Sequence, residues 1–361
     1  MTEDLFEPRS VATEYEEVRR NRSGAKRALV GLLVLLAVLV GAVFGALVFI
    51  DRQIASGVEW LGDPFAALPT RPAESVQEPG ESKPLNILLV GSDSRVSAGD
   101  PSQWEFGAQR TDAIMLVHVP GDRSGIFAVS IPRDSWVEVP GYGEAKINAA
   151  FSYGGPSLLI QTVENLTGVR VDHLAVTDFE SFADLTDAVG GVTITIPETT
   201  YDRTRGEEIP AGTYEMNGEE ALGYVRQRYG LPQGDLDRVQ RQQNWLRQVA
   251  SSTLERDVLT NPFTLTDVIR TASRSLAVDD SFTTARMRDL AFSLRTIRGD
   301  DLHFLTVPLE GLGWSPDGSQ SIVVLDDDGV AGLSEAIAQD RLEEYLAQDP
   351  ENLAVLGDWV D

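Results

Sequence analysis

The chain has 361 residues, of which 42% are hydrophobic, and its formal net charge is −26 at pH 7. This length and apolar content are sufficient for a packed core, so the composition excludes a chain that is disordered throughout. The negative charge excludes broad electrostatic attraction to nucleic acid or to an anionic membrane surface, because those partners require an extended basic field. No nucleic-acid partner is therefore expected, and any bound anion must be held locally.

The first predicted element is a transmembrane helix over residues 28–50. This apolar stretch carries no charge, and at about 1.5 Å per residue it is long enough to cross about 30 Å of hydrocarbon. A cleaved signal peptide has a shorter apolar region. Basic residues precede the stretch and acidic residues follow it, which predicts a cytoplasmic N-terminus. We therefore expect a single-pass protein of the cell membrane, with residues 1–27 as a cytoplasmic tail and the remainder extracellular.

The segment from Gly62 to Pro84 is rich in proline, glutamate, serine and glycine, which predicts an extended extracellular linker over residues 51–84. One globular domain is predicted over residues 85–350, followed by a C-terminal tail over residues 351–361. The chain has no cysteine, so an exported domain must be stabilised by its core rather than by disulfides. His118 lies in the apolar run AIMLVHV, which favours a core or sheet-face residue over a catalytic one.

Three predicted strands open this domain, and each adjoins a charged cluster. NILLV (86–90) leads into GSDSR, QRTD precedes AIMLVHV (113–119), and IFAVSI (126–131) leads into PRD. The sequence PGDRSG between the second and third strands predicts a hairpin loop. If the strands run up, down and up, all three clusters meet at one edge of the sheet. That edge would gather Asp93, Arg95, Arg110, Asp112 and Arg133.

Helical and strand patterns alternate further along the chain. A helix in PSLLIQTVENLTG is followed by a strand in VDHLAVT, a helix through FESFADLTDAVG and a strand in VTITIP. This alternation predicts an α/β fold in which helices sandwich a mixed central β-sheet. Asn217 is predicted to cap a helix over GEEALGYVRQR, and a longer helix is predicted from about Asp235 to about Arg256.

The longer helix is predicted to turn polar groups inward over its first two turns. At about 100° per residue, Asp235, Arg238 and Gln242 share one stripe, which apolar residues continue. Arg241 and Asn244 fall mostly on the opposite side, where a solvated charged face explains them as well as a role in a site does.

Arginine side chains at these positions suit a pyrophosphate ligand, because their planar donors stay charged at any physiological pH. Arg226 and Arg228 cannot share one helical face, but a frayed helix end could turn both toward an anion. Carboxylates repel such a ligand unless a hard divalent cation lies between them. Asp93 and Asp112 are the candidates to hold Mg²⁺, with Mn²⁺ as the alternative metal. The competing interpretation is that these aspartates and arginines form structural ion pairs with each other.

Six segments form a pattern that none of them specifies alone. In chain order they are GSDSR, QRTDAIMLVHV, SIPRDSWVEVPGYGEAKINAAFSYGG, FADLTDAVGGVTITIP, EEALGYVRQR and GDLDRVQRQQ. Together they closely resemble the LytR-CpsA-Psr family of cell-wall glycopolymer transferases, from about Leu85 to at least Val249. The predicted tail, single anchor and extracellular domain also match the layout of that family.

The resemblance implies a phosphotransfer outside the membrane. Such enzymes take a glycopolymer linked to polyprenyl pyrophosphate, such as teichoic acid, capsule or arabinogalactan, and join it to a peptidoglycan sugar hydroxyl through a phosphodiester. Polyprenyl phosphate is released. Carried over residue by residue, the resemblance places Mg²⁺ at Asp93 and Asp112. It assigns pyrophosphate binding to Arg95, Arg110, Arg133, Arg226, Arg228, Arg238 and Gln242.

The catalytic residues that the resemblance implies are Arg110, Arg133, Asp235 and Arg238. Asp235 is either the base that takes the proton of the incoming hydroxyl or the partner that orients Arg238. Lys146 and Asn148, in KINAA, match the family motif, and their role could equally be structural. The prenyl chain is hypothesised to lie in an apolar groove lined by FSYGGPSLLI or FESFADL, segments that core packing would also explain.

Two other functions stay open on the sequence. The chain could be a phosphatase that hydrolyses polyprenyl pyrophosphate, since water can replace the sugar hydroxyl in the same site. It could also be a non-catalytic sensor of lipid-linked precursors, or a transcriptional attenuator.

Overall fold

The computed structural model describes residues 50, 52–75, 77, 79–92, 111–202, 206–226, 235–254 and 261–348. At a few of these positions, among them Asp112 and residues 235–239, only the backbone is described. The chain divides into two units, Met1–Arg52 and Gln53–Asp361, and every element below belongs to the second. The predicted transmembrane helix lies outside the described residues, apart from Ile50. Among the helices within the described ranges, none has the length and apolar character needed to span a bilayer.

Seven strands form one mixed sheet. Their bounds are Glu59–Trp60 (β1), Leu85–Ser92 (β2), Thr111–Val119 (β3), Ile126–Ser130 (β4), His173–Asp178 (β7), Leu276–Val278 (β12) and Leu302–Thr306 (β13). Their order across the sheet is β1-β12-β7-β2-β3-β4-β13.

Four antiparallel strand pairs and eight helices complete the elements named in the described part of the chain. The pairs are β5 (Trp136–Val139) with β6 (Gly143–Lys146), β8 (Val192–Ile196) with β11 (Gly212–Met216), β9 (Thr200–Asp202) with β10 (Glu207–Ile209), and β14 (Leu309–Trp314) with β15 (Ser321–Leu325). The helices are α1 (Ile147–Thr167), α2 (Phe179–Ala188), α3 (Gly218–Arg226), α4 (Asp235–Leu254), α5 (Pro262–Arg274), α6 (Thr284–Ser293), α7 (Asp327–Ala338) and α8 (Leu342–Gln348).

Strand direction decides where the charged segments meet. β3 runs antiparallel to both β2 and β4, whereas β7 is parallel to β2 and β13 is parallel to β4. The predicted up, down and up course is therefore confirmed. One edge of the sheet, hereafter the upper edge, is marked by Ser92, Thr111, Ser130, Asp178 and Thr306.

Both faces of the sheet are covered by helices, as the α/β prediction requires. On one face, Leu88 and Val90 of β2 share a core cluster with Leu159 of α1. On the other face, Phe304 of β13 packs in a cluster that includes Leu246 of α4. Full burial of such a side chain stabilises the fold by about 1.5–3 kcal/mol, so these two apolar layers hold the helices on the sheet.

Helix α1 is bent by a glycine pair. Gly155 has φ 64° and ψ −158°, a conformation that side chains with a Cβ rarely adopt, and Pro156 follows it without an N–H to donate. Beyond the bend, Leu159 and Ile160 are fully buried in the main core, and Phe151 before it belongs to the same cluster. These residues of FSYGGPSLLI are explained by core packing; the side chains of residues 179–182 in FESFADL lie outside the description.

Part of the predicted linker belongs to the folded domain. β1 pairs with β12, Leu61 lies in the main core, and Arg71 forms an ion pair with Glu164 of α1 at 2.6 Å. The prediction of an extended linker over residues 51–84, with the domain starting near Leu85, is therefore wrong. The segment is polar on average, but a few isolated apolar residues and one arginine within it contact the core.

Two local predictions, the helix start at Asn217 and the core position of His118, agree with the structure. The Glu220 N–H donates to Asn217 Oδ1 and the Asn217 N–H donates to Glu220 Oε2, both at 3.0 Å. This reciprocal pair is a capping box, which confirms Asn217 as the start of α3. His118 is fully buried, with Nδ1 2.8 Å from Asn86 Oδ1 and Nε2 3.0 Å from Asp340 Oδ1. The prediction of a core histidine is confirmed.

The His118 contact predicts a specific acid sensitivity. Burial alone would raise the pKa of Asp340, but hydrogen bonds from His118 and the Gly121 N–H, with the charges of His118 and Arg123, outweigh it and hold that pKa below 3.8. Stability from a depressed pKa is present above the unfolded value and is lost as the pH falls through the folded one. We expect the free energy of unfolding of Asp340→Asn, from urea titrations, to fall less steeply below about pH 4 than that of the unmodified chain. Parallel curves would contradict this.

Candidate active site

The backbone brings the ends of five strands together at the upper edge. Ser92, the last residue of β2, lies in register with Thr111, the first residue of β3, and with Asp178 of β7. On the other side of β3, Ser130 ends β4 and is in register with Thr306, which ends β13. The strand ends that adjoin the charged segments in sequence therefore lie at one edge, as the up, down and up course requires.

The predicted residues next to β2 and β3 differ in what is described. Asp93, Arg95 and Arg110 lie outside the described residues. Asp112 is the second residue of β3, and only its backbone is described. Its neighbour Thr111 is fully buried, and within the described part of the chain its Oγ1 has no hydrogen-bond partner.

Arg133 lies in the turn that follows β4. Its carbonyl accepts a hydrogen bond from the Asn148 N–H at 3.2 Å, which ties this turn to the start of α1. Arg133 Nε is 3.7 Å from Asp134 Oδ2, and Lys146 Nζ is 2.9 Å from Asp134 Oδ1. The ion pair of Lys146 with Asp134 supports the structural interpretation of Lys146.

Two side chains fix helix α4 beside the upper edge. Gln243 Nε2 donates to Leu305 O at 3.1 Å and to Thr306 Oγ1 at 3.2 Å, at the end of β13. Trp245 Nε1 donates to Thr186 Oγ1 of α2 at 3.0 Å. The middle of α4 is therefore held between the sheet and α2.

Gln242, next to Gln243, is buried, as the inward stripe predicts. It is 5% exposed, and in the described structure its Oε1 has no hydrogen-bond partner. A buried polar atom without a partner costs about 1–3 kcal/mol, so such an atom beside a cluster of site residues points to a ligand contact. Asp235 and Arg238 lie in the first turn of the same helix, where the side chains are not described.

Arg241 is 1% exposed, and its guanidinium lies 4.7 Å from the centre of the Tyr224 ring. Asn244 is also 1% exposed, so of the two interpretations left open for these residues the solvated charged face is wrong for both. The physical reason is that α4 contacts β13 on one side and β8 and α3 on another, so the central turns have no solvent side. Trp245, four residues after Arg241, was the available signal.

The Tyr224 contact places the end of α3 beside α4. Burial raises the pKa of the Tyr224 phenol, and the positive charge of Arg241 offsets part of that rise. Arg226 follows two residues later as the last residue of α3 and is exposed. Arg228 lies outside the described residues.

No group of three or more His, Asp or Glu side chains that could hold a metal is found among the residues whose placement is described. The side chains of the proposed pair, Asp93 and Asp112, are not among those described. Mg²⁺ prefers oxygen ligands, which the carboxylates of these two aspartates would supply.

A serine, histidine and aspartate cluster at the opposite edge does not form a nucleophilic triad. Ser281 Oγ and Asp279 Oδ2 both lie 3.2 Å from His173 Nδ1, the same ring nitrogen. A triad needs the serine on one nitrogen and the carboxylate on the other. Phe282 stacks on the His173 ring at 4.3 Å, so the cluster is part of the packing at this edge.

Comparison with known proteins agrees with this architecture. The LytR_cpsA_psr family model matches residues 66–335. The chain is 33% identical over 291 residues to the cell wall biosynthesis protein LcpA of Corynebacterium glutamicum, covering 70% of this chain and 56% of that protein. It is 42% identical over 217 residues to the probable cell wall biosynthesis protein LcpB of the same organism, covering 58% and 52%. The chain thus spans about half the length of these curated relatives.

Solved structures share the fold. TagT of B. subtilis superposes with a TM-score of 0.57 at 24% identity, over 76% of this chain and 98% of that one. TagT bound to LIIa-WTA gives a TM-score of 0.58 at 25% identity, over 76% and 97%. Because the family model covers well over half of the sequence and these folds agree with it, the chain belongs to the LytR-CpsA-Psr family.

Proposed function

We propose that this chain is a glycopolymer phosphotransferase that joins a polymer carried on polyprenyl pyrophosphate to a sugar hydroxyl of peptidoglycan. Residues 28–50 would anchor it in the cell membrane, with the domain outside the cell. The observation that carries the proposal is that the strand ends adjoining the charged segments meet at the upper edge, beside α4, in a member of this family. The relatives named for cell wall biosynthesis and the TagT complex with a wall teichoic acid support a lipid-linked donor.

In the proposed reaction, the acceptor hydroxyl attacks the glycan-side phosphorus of the pyrophosphate. A bond forms between the acceptor oxygen and that phosphorus, and the bond from the phosphorus to the bridging oxygen breaks. Polyprenyl phosphate leaves with the bridging oxygen. The hydroxyl proton passes to a base, for which Asp235 is the candidate; the alternative is that Asp235 orients Arg238.

Positive charge at the upper edge would stabilise this reaction. Arg110, Arg133 and Arg238 would contact the reacting phosphates, because guanidinium forks match phosphate oxygens. Arg95, Arg226 and Arg228 would hold the rest of the pyrophosphate. In a site that is partly shielded from water, such fixed donors supply most of the rate gain in phosphoryl transfer.

A divalent cation fits the acidic residues at this edge. Asp93 and Asp112 would hold Mg²⁺ or Mn²⁺, because hard divalent cations prefer carboxylate oxygens. When bound, the cation would neutralise charge on the phosphate oxygens.

Gln242 offers a test that separates function from stability. Because its buried Oε1 has no hydrogen-bond partner in the described structure, replacing the amide by an apolar group of similar size removes a cost of about 1–3 kcal/mol. We expect Gln242→Leu to unfold at an unchanged or higher urea concentration while losing at least about tenfold in transfer rate. A destabilised variant with normal activity would show that the amide is structural.

Product analysis tests the proposed reaction against its alternatives. The full chain in detergent is incubated with a polyprenyl-pyrophosphate glycan and Mg²⁺, with and without a peptidoglycan oligosaccharide, and the products are identified by mass spectrometry. We expect a phosphodiester-linked glycan on the acceptor, together with polyprenyl phosphate. Hydrolysis that ignores the acceptor would indicate the phosphatase, and bound but intact lipid would indicate the sensor.

A further inference from the structure

A polar groove opens beside Arg133. Its volume is about 360 Å³, and its lining includes Arg133, Lys146, Asn148, Ser152, Tyr153 and Gln320. Small-molecule pockets commonly measure about 300–1,000 Å³, so the groove has the size for a short ligand. Its walls present amide, hydroxyl and charged groups, which do not match an apolar prenyl chain.

An aromatic pair adjoins this groove, because Tyr153 lines it and Tyr142 stacks on Tyr153. The ring centroids of Tyr142 and Tyr153 are 4.8 Å apart with an interplanar angle of 28°. Tyr142 Oη donates to the Tyr153 carbonyl oxygen at 3.4 Å, and Tyr142 is 51% exposed. A stacked, exposed ring offers a flat apolar face beside a hydroxyl. The C–H face of a sugar ring matches such a surface, while the sugar hydroxyls need the polar groups that line the groove.

Backbone hydrogen bonds hold the turn that carries Tyr142 and the loop that carries Gln320 before any ligand binds. Gly141 and Gly143 have φ of 82° and 76°, and the Tyr142 N–H donates to Val139 O at 2.9 Å, which sets the turn that presents Tyr142. On the facing side, the Ser315 N–H donates to Gln320 O at 2.8 Å. Preorganised groups lose little entropy on binding, so this construction suits recognition.

Helix α1 supplies the floor of the groove from one helical face. Asn148 and Ser152 are separated by four residues and therefore lie one above the other. The bend at Gly154 and Gly155 ends this section before the helix turns into the core. The section before the bend therefore presents Asn148 and Ser152 to the groove while its Phe151 packs in the core.

We propose that this groove and the aromatic pair beside it form a saccharide subsite, in which a sugar ring stacks on Tyr142 and Tyr153 and hydrogen-bonds to Asn148 and Gln320. A sugar held there would direct its next group toward Arg133, where the pyrophosphate is proposed to bind. The source of the sugar rests on the proposed function: it is a ring of the peptidoglycan acceptor or of the donor glycan, which present the same hydroxyl chemistry.

Direct binding tests this subsite without requiring turnover. The full chain in detergent is titrated with a peptide-free peptidoglycan tetrasaccharide in one arm and with the lipid-free donor glycan in the other, by calorimetry. Tyr142→Ala should weaken binding in at least one arm by about tenfold, because stacking and apolar contact are lost. Tyr142→Phe should retain most of the affinity, and Gln320→Ala should weaken the same arm. The matched control is Tyr201→Ala, which removes an exposed tyrosine of β9.

The arm that responds identifies the sugar as acceptor or donor. If transfer is absent but saccharide binding still depends on Tyr142, the subsite stands and the proposed function fails. If transfer proceeds and Tyr142→Ala leaves both affinities and both KM values equal to those of the Tyr201→Ala control, the proposed function stands and the subsite is wrong.

Discussion

Replacement of Arg133 by alanine is expected to reduce kcat for glycan transfer by about 10²–10³-fold, the range found when one preorganised donor to a developing negative charge is removed. Arg133 follows the last residue of β4 at the upper edge, in a turn tied to α1 through its carbonyl. Its ion pair with Asp134 is long, at 3.7 Å, and partly exposed, and a pair of this kind contributes no more than about 1 kcal/mol to stability. The variant should therefore fold and fail in the chemical step.

Two further variants make this result specific. Arg133→Lys keeps the charge but not the planar fork, so it should recover only part of the lost rate. Arg270→Ala removes an arginine from an exposed i,i+3 ion pair on α5 and should leave transfer unchanged. Normal kcat in Arg133→Ala would remove this residue from the site, and equal losses in both alanine variants would indicate an effect of net charge alone.

Replacement of Arg71 by alanine is expected to lower the free energy of unfolding by about 3–5 kcal/mol, because it leaves a buried carboxylate without its cation. Glu164 is 2% exposed at its side chain and accepts hydrogen bonds from Arg71 Nε and Nη2 and from the Val171 N–H. Arg71 also donates to the Val171 carbonyl and stacks over Phe65 at 4.4 Å. Since domains are stable by only about 5–15 kcal/mol, the loss is a large fraction of the total.

The cause can be separated from simple loss of contact. Adding Glu164→Gln to Arg71→Ala removes the unpaired charge, so the double variant should recover part of the stability in urea titrations. The control is Lys83→Ala, whose exposed pair with Glu74 should contribute no more than about 1 kcal/mol. A loss in Arg71→Ala no larger than in Lys83→Ala would mean that residues 58–75 do not help to hold the domain together.

Much of the fold was predictable because its signals are local. The alternation of apolar residues in β2, β3 and β4 and the hairpin loop between the last two determine which way each strand runs, and the capping box at Asn217 marks the start of α3. The contribution of residues 58–75 to the folded domain was not predictable, because β1 is a strand only through its pairing with β12, more than two hundred positions away. Composition reports the average character of a segment, whereas the core used its few exceptions.

The site was predictable at the level of its edge but not of its interior. Because β2, β3 and β4 are antiparallel neighbours, the turn with Arg133 after β4 lies at the same edge as the end of β2 and the start of β3, which adjoin the other charged clusters in sequence. The helical wheel placed Gln242 inward correctly, but it left a solvent-exposed face open for Arg241, which is buried. The burial of Arg241 depends on tertiary structure, because α3 and β8 cover this side of α4 and no periodicity within α4 can reveal them.

Labelling the glycan-side phosphorus tests the proposed phosphotransfer most directly. The full chain is incubated with Mg²⁺, a peptidoglycan oligosaccharide and a polyprenyl-pyrophosphate glycan labelled at the glycan-side phosphorus. The account predicts that the label appears on the acceptor in a phosphodiester and that the released polyprenyl phosphate is unlabelled. Label that stays with the lipid as polyprenyl pyrophosphate would mean that the sugar carbon, not the phosphorus, is attacked, and would contradict phosphotransfer by this site.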